Sequence, residues 1–489
     1  MKHLIIIPIL FITNIVAQSF DIAINGGRVM DPETGFDGIR NIGINGDRIV
    51  EITTKPIRGK FTLNAKGLVI SPGFIDLHAH GQTNEAHQYQ ARDGVTTALE
   101  MEGGVGFLRE WVESKKGETI VNYGGTVPHG FLRAMAMDEN QKIAQKLQNQ
   151  VEKNGLSLDG ISGFDKTFAV ANYQSQSQKE EERTRRMMQN YLNAGALGIG
   201  VPVGYYPGAT AGEIFRVYQF AAKQNVPIYS HTRGFGMPGL HEAMANATTS
   251  GASLHLVHAN SMSLGEIETT LSMVSDAQKN GLDITTEVYP YTAASTSLES
   301  VLFDEGWKET LSISYEDLQW EATGERLNST TFYEYRKEGG TIIIHMMKPE
   351  WIKKGVSHPV AMIASDGMPY APGAHPRTAG TFSRVLGKYV RKERAMDLMT
   401  ALGKMTIMPA KRLQNVAPSM NRKGRLQVGA DADITIFNAR TIIDQADFKG
   451  LKYSKGVEHV LINGVFVVSN GKNVKNIYPG RPILGKYRK

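Results

Sequence analysis

Two histidines separated by one residue follow directly on a mostly apolar run, and this spacing can hold a metal ion. His78 and His80 come after residues 71–77 (SPGFIDL). On an extended backbone, side chains at positions i and i+2 leave the same face, so both imidazoles can reach one ion. The alternative interpretation of this segment alone is two unrelated surface histidines.

Three further polar residues each end a strand-like run. His231 ends residues 226–231 (VPIYSH), His258 ends 254–258 (LHLVH), and Asp366 ends 360–366 (VAMIASD). A carboxylate carried inward by an apolar strand is costly unless it is paired or bound to a cation. Taken singly, each histidine is better explained as a core or surface residue than as a ligand, and the alternative role for Asp366 is a helix N-cap. Together with the His-x-His pair they predict a metal centre.

The elements that must position these residues alternate between strand and helix. The strand-like segments are 94–102, 120–127, 196–203, 226–232, 253–259, 282–289 and 359–366, and the helix-like ones are 178–194, 211–225 and 264–281. About eight strand–helix repeats predict an α/β fold of the (β/α)₈ TIM-barrel type, with its active site at the carboxyl ends of the strands. An open, doubly wound sheet is the alternative. No P-loop sequence follows a strand to support nucleotide binding.

Both ends of the chain have a β pattern with turns rich in glycine and aspartate. We therefore expect a small β-sandwich domain formed by residues 19–70 and 415–489, with the barrel, 71–414, inserted between them. An insertion within the barrel at about 292–357 is too long for a simple loop. It is interpreted either as a lid over the barrel mouth or as a packed extension.

Composition limits the chemistry further. The 489 residues contain no cysteine, which excludes disulfides, thiolate zinc sites and cysteine nucleophiles, so nitrogen and oxygen must hold any metal. The net charge of +6 is too small for so large a surface to indicate nucleic acid or an anionic membrane as partner. No GxSxG motif supports a serine hydrolase.

The first residues resemble a targeting segment. A short basic start is followed by the apolar run 4–16 and by small residues at 17–19, which predicts a signal peptide over residues 1–18. The protein is then exported to the periplasm or outside the cell. No other stretch is long and apolar enough for a membrane span, so the mature protein is expected to be soluble.

Several segments resemble the amidohydrolase superfamily and, within it, the D-aminoacylase branch of N-acyl-D-amino-acid deacylases. The resemblance runs from about residue 20 to 482 and is carried by residues 72–80 (PGFIDLHAH), 93–97 (DGVTT), 231–233 (HTR), 258, 288–293 (VYPYTA), 365–367 (SDG), 375–382 (HPRTAGTF) and 423–433 (KGRLQVGADAD). It implies a metal site of His78, His80, His231, His258 and Asp366, with a further ligand after the second strand. That ligand is a cysteine in the branch, and this chain has none.

A glutamate is expected in place of the missing cysteine. Glu100 and Glu102 in residues 98–104 (ALEMEGG) share parity on a strand, so both can point into the barrel. Glu102 is favoured because it lies farther toward the carboxyl end, and Glu100 remains the alternative. A carboxylate makes the site harder than a thiolate would, so zinc is favoured, as one or two ions, while Mn, Fe and Co stay open.

The resemblance also implies residues that bind the substrate. Arg377 matches the arginine that grips a free α-carboxylate, with a structural ion pair as the alternative. Tyr291, Ser297 and Tyr206 match polar groups of the pocket. Asn260 stands where the branch often has a lysine, which removes one positive charge from the pocket. A set of relatives acting on N-acyl-D-glutamate is similar in its glutamate and in residues 258–261 (HANS).

These observations predict a metal-dependent hydrolase that converts a small-molecule N-acyl-D-amino acid to a carboxylate and a free D-amino acid. Asp366 is expected to act as base and then as acid. A cyclic amidase, a dipeptidase, a deaminase and a non-catalytic barrel protein are the alternatives. His129 stays undecided, and His345 is interpreted as a core or neighbouring residue rather than a ligand. The sequence does not indicate the oligomeric state.

Overall fold

The computed structural model of the chain describes residues 19–154 and 168–488. The predicted signal segment, residues 1–18, lies outside the described residues. Within the described ranges, no helix combines the length and the apolar character that a membrane crossing requires.

Five strands at the start of the described chain belong to the small domain. They are β1 (Ser19–Asp31), β2 (Phe36–Asn45), β3 (Arg48–Thr53), β4 (Arg58–Asn64) and β5 (Val69–Pro72). Strand β1 pairs antiparallel with β2 and parallel with both β4 and β5. Its apolar residues Phe20, Ala23 and Ile24 are buried. Because Ala23 and Ile24 are consecutive and point to opposite faces, both faces of the strand are covered there.

The barrel begins immediately after β5. Its first strands are β6 (Phe74–Asp76), β7 (Val95–Glu100), the consecutive β8 (Asn122–Gly125) and β9 (Val127–Pro128), β10 (Ile199–Pro202), β11 (Ile228–His231), β12 (Leu254–Leu256) and β13 (Ile284–Val288). Neighbours pair in parallel from β6 to β8 and from β9 to β13. Nearly every residue in them is buried, as expected for strands covered on both faces.

The insertion between residues 292 and 357 is a folded unit with its own core. Strands β14 (Ala294–Ser297), β15 (Leu318–Trp320) and β16 (Thr341–Ile344) form an antiparallel sheet in the order β14-β16-β15. Its buried aromatic residues are Phe303, Trp307, Trp320 and Phe332. The unit is therefore an extension with its own packing, and it also lines the cavity described below.

Strand β17 (Ala361–Ile363) completes the barrel as its eighth strand, with β8 and β9 counted as one. It pairs in parallel with β13. On its other side, the Ser365 N–H donates to Asp76 Oδ1 at 2.9 Å, and the His80 N–H donates to the Gly367 carbonyl at 2.8 Å. These bonds close the barrel between its last and first strands, as the sequence predicted.

Helices cover the barrel and complete the insertion. They are α1 (Asn84–Arg92), α2 (Leu108–Ser114), α3 (His129–Ala136), α4 (Gln141–Asn154), α5 (Gln178–Ala194), α6 (Ala211–Gln224), α7 (Met237–Ser250), α8 (Ala259–Ser263), α9 (Ile267–Lys279), α10 (Trp307–Leu311), α11 (Ser329–Glu338), α12 (Pro349–Ser357), α13 (Arg377–Arg384), α14 (Leu398–Met405) and α15 (Ile407–Gln414). Helix α5 illustrates the sequence signals: a capping box of Ser177 and Glu180 begins it, and Gly195 at φ 106° ends it.

The chain returns to the small domain with β18 (Ile434–Phe437), β19 (Val457–Ile462), β20 (Val465–Ser469) and β21 (Lys472–Asn473). Strand β18 pairs antiparallel with β5, so hydrogen bonds join both ends of the chain into one nine-stranded sheet. The predicted second part of this domain, 415–489, extends too far in one respect. Ile483 packs in the barrel core, and the Tyr123 N–H donates to the Arg481 carbonyl at 3.1 Å, so the last residues lie against the barrel.

Candidate metal centre and cavity

The carboxyl ends of the barrel strands bring the predicted ligands to one edge. His78 and His80 follow β6, Glu102 follows β7, His231 ends β11, His258 follows β12 and Asp366 follows β17. His258 and Asp366 have φ of 31° and 51°, a left-handed backbone that residues other than glycine rarely adopt. Such strain commonly marks functional sites, where the surrounding structure holds it in place.

The ligand atoms of these residues lie in contact with one another. Glu102 Oε2 is 3.1 Å from His78 Nε2, and Glu102 Oε1 is 3.1 Å from His258 Nε2. His78 Nε2 is 3.2 Å from His80 Nε2. Asp366 Oδ1 is 3.5 Å from the first of these nitrogens and 3.4 Å from the second. Glu102 therefore lies between three histidines.

Carboxylates hold the far side of the first two rings. Glu287 Oε1 lies 2.6 Å from His78 Nδ1, and Glu100 Oε2 lies 2.7 Å from His80 Nδ1. An ionised carboxylate only accepts hydrogen bonds, so each Nδ1 carries a proton. In the neutral ring, Nε2 then has a free lone pair. Glu100 thus faces the back of His80, whereas Glu102 faces the centre.

The other two histidines are oriented in the same way. His231 Nδ1 donates to the Thr232 carbonyl at 2.9 Å. His258 Nδ1 lies 3.1 Å from Ser261 Oγ, whose hydroxyl lies 3.0 Å from the His258 carbonyl and donates to it. His231 therefore exposes Nε2 as an acceptor. Because the Ser261 hydroxyl donates its proton to a carbonyl, it accepts from His258 Nδ1, and His258 Nε2 is then an acceptor as well. The His231 and His258 rings are 4.9 Å apart and nearly perpendicular.

This donor set fits a divalent cation. Burial lowers the pKa of His78, but the carboxylates of Asp366, Glu102 and Glu287 outweigh burial and hold that pKa well above its ordinary value. Burial lowers the pKa of His231 to about 4, so this ring is neutral. The centre therefore attracts positive charge and offers imidazole nitrogens and carboxylate oxygens, which suits zinc.

Asp366 connects the centre to Arg377. Arg377 Nη1 lies 2.7 Å from Asp366 Oδ2. Burial raises the pKa of Asp366, but Arg377 and His78 outweigh it and keep this carboxyl well below its usual range. Arg377 also donates to the Ser295 carbonyl and covers the Tyr289 ring at 4.7 Å. Its guanidinium is fully buried, so its predicted grip on a substrate carboxylate stays a prediction that requires this ion pair to open.

The centre forms the floor of a cavity of about 870 Å³, which is within the range of small-molecule sites. Floor residues are His80, Glu102, His231, His258 and Asp366. Ser297 and Tyr206 line the walls, and their predicted contact with substrate stays a prediction. The Tyr206 hydroxyl lies 2.9 Å from His129 Nδ1, which places His129 behind the wall. His345 lies away from the centre, with Nε2 3.1 Å from Gln319 Oε1.

Two predicted pocket residues are placed elsewhere. Tyr291 does not line the cavity, because its hydroxyl points to Asp444 Oδ2 at 3.4 Å and the Arg384 guanidinium covers its ring at 4.5 Å. Asn260 does not line it either. Its side chain accepts from the Tyr289 N–H at 3.2 Å and donates to the Tyr289 carbonyl at 3.3 Å, so it fixes the end of β13.

Sequence reasoning missed Glu287 and Tyr205. Glu287 Oε2 also lies 3.2 Å from His255 Nε2, so one carboxylate holds two buried histidines. The available signal was a glutamate inside an otherwise uncharged strand (ITTEV), which is costly unless it is paired. Tyr205 gave no such signal. Its ring lies 4.9 Å from the His231 ring, and its hydroxyl is 3.0 Å from Thr296 Oγ1 of the insertion.

Comparison with known proteins yields one family and several relatives. The sequence profile of the amidohydrolase family matches residues 62–468. An N-acyl-D-glutamate deacylase of Alcaligenes xylosoxydans xylosoxydans is 28% identical over 92% of this chain and 94% of its own length. A D-aminoacylase of the same organism is 26% identical over the same shares. The crystal structure of N-acyl-D-glutamate deacylase from Bordetella bronchiseptica, complexed with zinc and a phosphonate inhibitor, superposes with a TM-score of 0.79 at 23% identity, covering 96% of this chain and 100% of that one.

Proposed function

The chain belongs to the amidohydrolase family, and we propose that it is a metal-dependent hydrolase of N-acyl-D-amino acids. The observation that carries this proposal is the centre itself. His78, His80 and His258 bring Nε2 into contact with Glu102 or Asp366, and the His231 ring lies 4.9 Å from that of His258. The relatives matched over most of their length are a deacylase of N-acyl-D-glutamate and a D-aminoacylase, which supports a linear amide of a D-amino acid as substrate.

The residues of the chain divide the work of amide hydrolysis. A divalent cation held by the floor residues would make water a stronger nucleophile at neutral pH and would polarise a scissile carbonyl. Asp366 accepts the proton of the attacking water and then delivers it to the leaving amide nitrogen, as base and acid in turn. Arg377 holds the second oxygen of that carboxylate at 2.7 Å, which orients it and keeps it ionised at the start of the cycle.

The remaining contacts hold the reacting groups in place. Glu287 and Glu100 fix the rings of His78 and His80 through Nδ1, and such outer partners raise the basicity of the ligand nitrogen. Tyr205 lies between His231 and the insertion, so it limits the water that reaches the floor. The products are a carboxylic acid and a free D-amino acid.

A release assay with paired enantiomers tests the proposal. The mature protein is loaded with zinc and supplied with N-acetyl-D and N-acetyl-L forms of the same amino acids, and the free amine is measured. We expect release from the D forms at a rate well above that from the L forms. Equal rates on both enantiomers, or no release from either, would contradict the proposal.

Export is a separate proposal that rests on sequence. The basic start, the apolar run 4–16 and the small residues at 17–19 indicate cleavage near residue 18 and a location in the periplasm or outside the cell. The mass of the protein recovered from its native host tests this. A mature chain that still carries residues 1–18 would contradict it.

A further inference from the structure

The cavity above the metal centre has two unlike walls, and we propose that its aromatic wall receives the acyl group of the substrate. The preferred substrates are then N-acyl-D-amino acids whose acyl group is a long chain or carries an aromatic ring, rather than acetyl. This inference rests on the proposed function and names its substrate class.

Apolar residues of α3 and of the turn at 168–173 form the aromatic wall of the cavity. They are Phe131, Ala134, Phe168 and Ala169. The Phe131 and Phe168 rings meet edge to face with centroids 6.1 Å apart. Such rings present a large, rigid apolar surface to a ligand.

The mouth on this side also exposes an aromatic side chain. Tyr173, which lines the cavity, is 55% exposed and lies in the same short turn as Ala169. Its ring extends the apolar surface of the wall toward solvent. The Tyr173 hydroxyl donates to Asp304 Oδ2 at 2.8 Å, so the aromatic wall meets the insertion there.

The wall that comes from the insertion carries most of the polar groups of the cavity, beside the apolar Val301, Leu302, Ile344 and Met346. Ser295, Thr296 and Ser297 of β14 line it, together with Lys337 and Glu321. One oxygen of Glu321 is buried without a hydrogen-bond partner among the described residues, and burial raises the pKa of this carboxyl to about 7. This wall thus offers both donors and acceptors to a polar ligand group.

The orientation of the substrate follows from the cost of burying charge. The amino-acid part always carries a free carboxylate, which is expensive to place against aromatic rings without a partner. The acyl part carries no charge, and its methylene groups gain free energy when they leave water. With the scissile amide over the floor, the amino-acid part therefore faces the polar wall and the acyl part faces Phe131 and Phe168.

The volume of the cavity fits a large acyl group. One water takes about 30 Å³ of liquid volume, so 870 Å³ has room for roughly thirty non-hydrogen atoms. An N-acetyl amino acid of about twelve such atoms would fill less than half of this space, so the cavity also has room for a longer acyl chain.

A series of acyl groups on one D-amino acid tests the inference on the zinc-loaded wild-type protein. The acyl groups are acetyl, butanoyl, octanoyl and phenylacetyl. We expect kcat/KM to rise by about fourfold per buried methylene, so that octanoyl, with six more methylenes than acetyl, exceeds acetyl by at least about sixtyfold if only three of them are buried. If acetyl is the best substrate and longer chains are slower, the aromatic wall does not receive the acyl group, although the deacylase function stands. If no member is hydrolysed, the proposed function fails and the inference fails with it.

A pair of phenylalanine variants locates the effect. Phe131→Ala should lower the octanoyl-to-acetyl ratio of kcat/KM by about tenfold. Phe235→Ala, which changes a cavity residue packed against the insertion core, should leave this ratio near the wild-type value. The opposite order would assign the acyl group to the insertion side. Inhibition of the wild-type protein by octanoate and by acetate checks the same point without a variant, and equal inhibition by the two would overturn the inference.

Discussion

The floor of the cavity and its walls differ in how their polar groups are held. On the floor, the Nδ1 of each of the four histidines has a fixed partner, and the carboxylate of Asp366 is held by Arg377. On the walls, Lys337 is exposed and one oxygen of Glu321 has no partner among the described residues. The floor is thus preorganised for one kind of chemistry, whereas the walls keep groups available to a ligand.

This difference follows from the elements that build each region. Floor residues lie at the ends of barrel strands, whose positions neighbouring strands fix. The walls come from α3, the turn at 168–173 and the insertion, which are connections between strands. Reaction type is therefore set by the barrel, and substrate choice by the connections, as is common for loops on a rigid scaffold.

The largest expected effect comes from the base on the floor. Asp366→Ala should lower kcat by about a thousandfold or more, because general acid and base catalysis contribute up to about 10⁴-fold. The remaining ligands keep metal content largely intact. Steady-state rates and elemental analysis of the same preparation check both parts. Hydrolysis at the wild-type rate would remove Asp366 from the mechanism.

Variants of Glu100 and Glu102 distinguish a metal ligand from a residue that orients a ligand. Glu102→Ala should weaken zinc binding more than about a hundredfold, since its oxygens face His78 and His258. Glu100→Ala should weaken it only about tenfold, as loss of an outer partner typically does. Competition with a chelating dye measures both. The reverse order would make Glu100 the ligand.

Loss of one charge behind the floor should have a smaller effect. Glu287→Gln keeps an acceptor for His78 Nδ1 at 2.6 Å but removes the negative charge. We expect zinc affinity to fall about tenfold. Glu321→Gln is the matched control on the wall and should leave affinity unchanged. If both variants bind zinc like the wild type, the charge of Glu287 does not support the centre.

The smallest expected effect concerns Asp93, a buried carboxylate outside the cavity, and the pH dependence of the free energy of unfolding. Burial raises the pKa of Asp93 from 3.8 to about 7, although the N–H groups of Phe382 and Ser383 and the Ser454 hydroxyl donate to it. The folded protein therefore binds a proton here more tightly than the unfolded chain. The stabilisation that this proton gives the folded state is fully present below about pH 4 and is lost as pH rises through 7. The free energy of unfolding changes with a slope of at most about 1.4 kcal/mol per pH unit.

The variant Asp93→Asn isolates this contribution. Its free energy of unfolding should fall less between pH 5 and pH 8 than that of the wild type, as measured by urea denaturation at each pH. Identical pH dependence in the two proteins would show that Asp93 does not titrate in this window. The comparison with Asp366 is informative, because a cationic partner keeps that buried carboxyl ionised.

Many of the floor residues were predictable from sequence because they share one sequence pattern. Each ligand ends an apolar run, and the ends of parallel barrel strands meet at one edge. The choice of Glu102 over Glu100 followed from its position farther along the strand, and the structure places Glu102 at the centre and Glu100 behind His80. Glu287 was missed because its partner His78 lies 209 residues away.

The walls were less predictable because their residues are placed by tertiary contacts. Tyr291 follows a proline and points away from the cavity because Arg384 and Asp444 hold it, and nothing local to residues 288–293 indicates those partners. Asn260 likewise bonds the backbone of Tyr289. The resemblance correctly indicated that a pocket exists here, but which side chains face it depends on the connections.

The central claim is that the residues of the floor hold a metal on which hydrolysis depends. The most direct test removes metal from the protein with a chelator, measures the release of D-amino acid from its N-acyl form, and then restores zinc in stoichiometric steps. We predict that release is lost without metal and returns in proportion to zinc, up to one or two ions per chain. Full activity of a protein shown by elemental analysis to be metal-free would contradict the account.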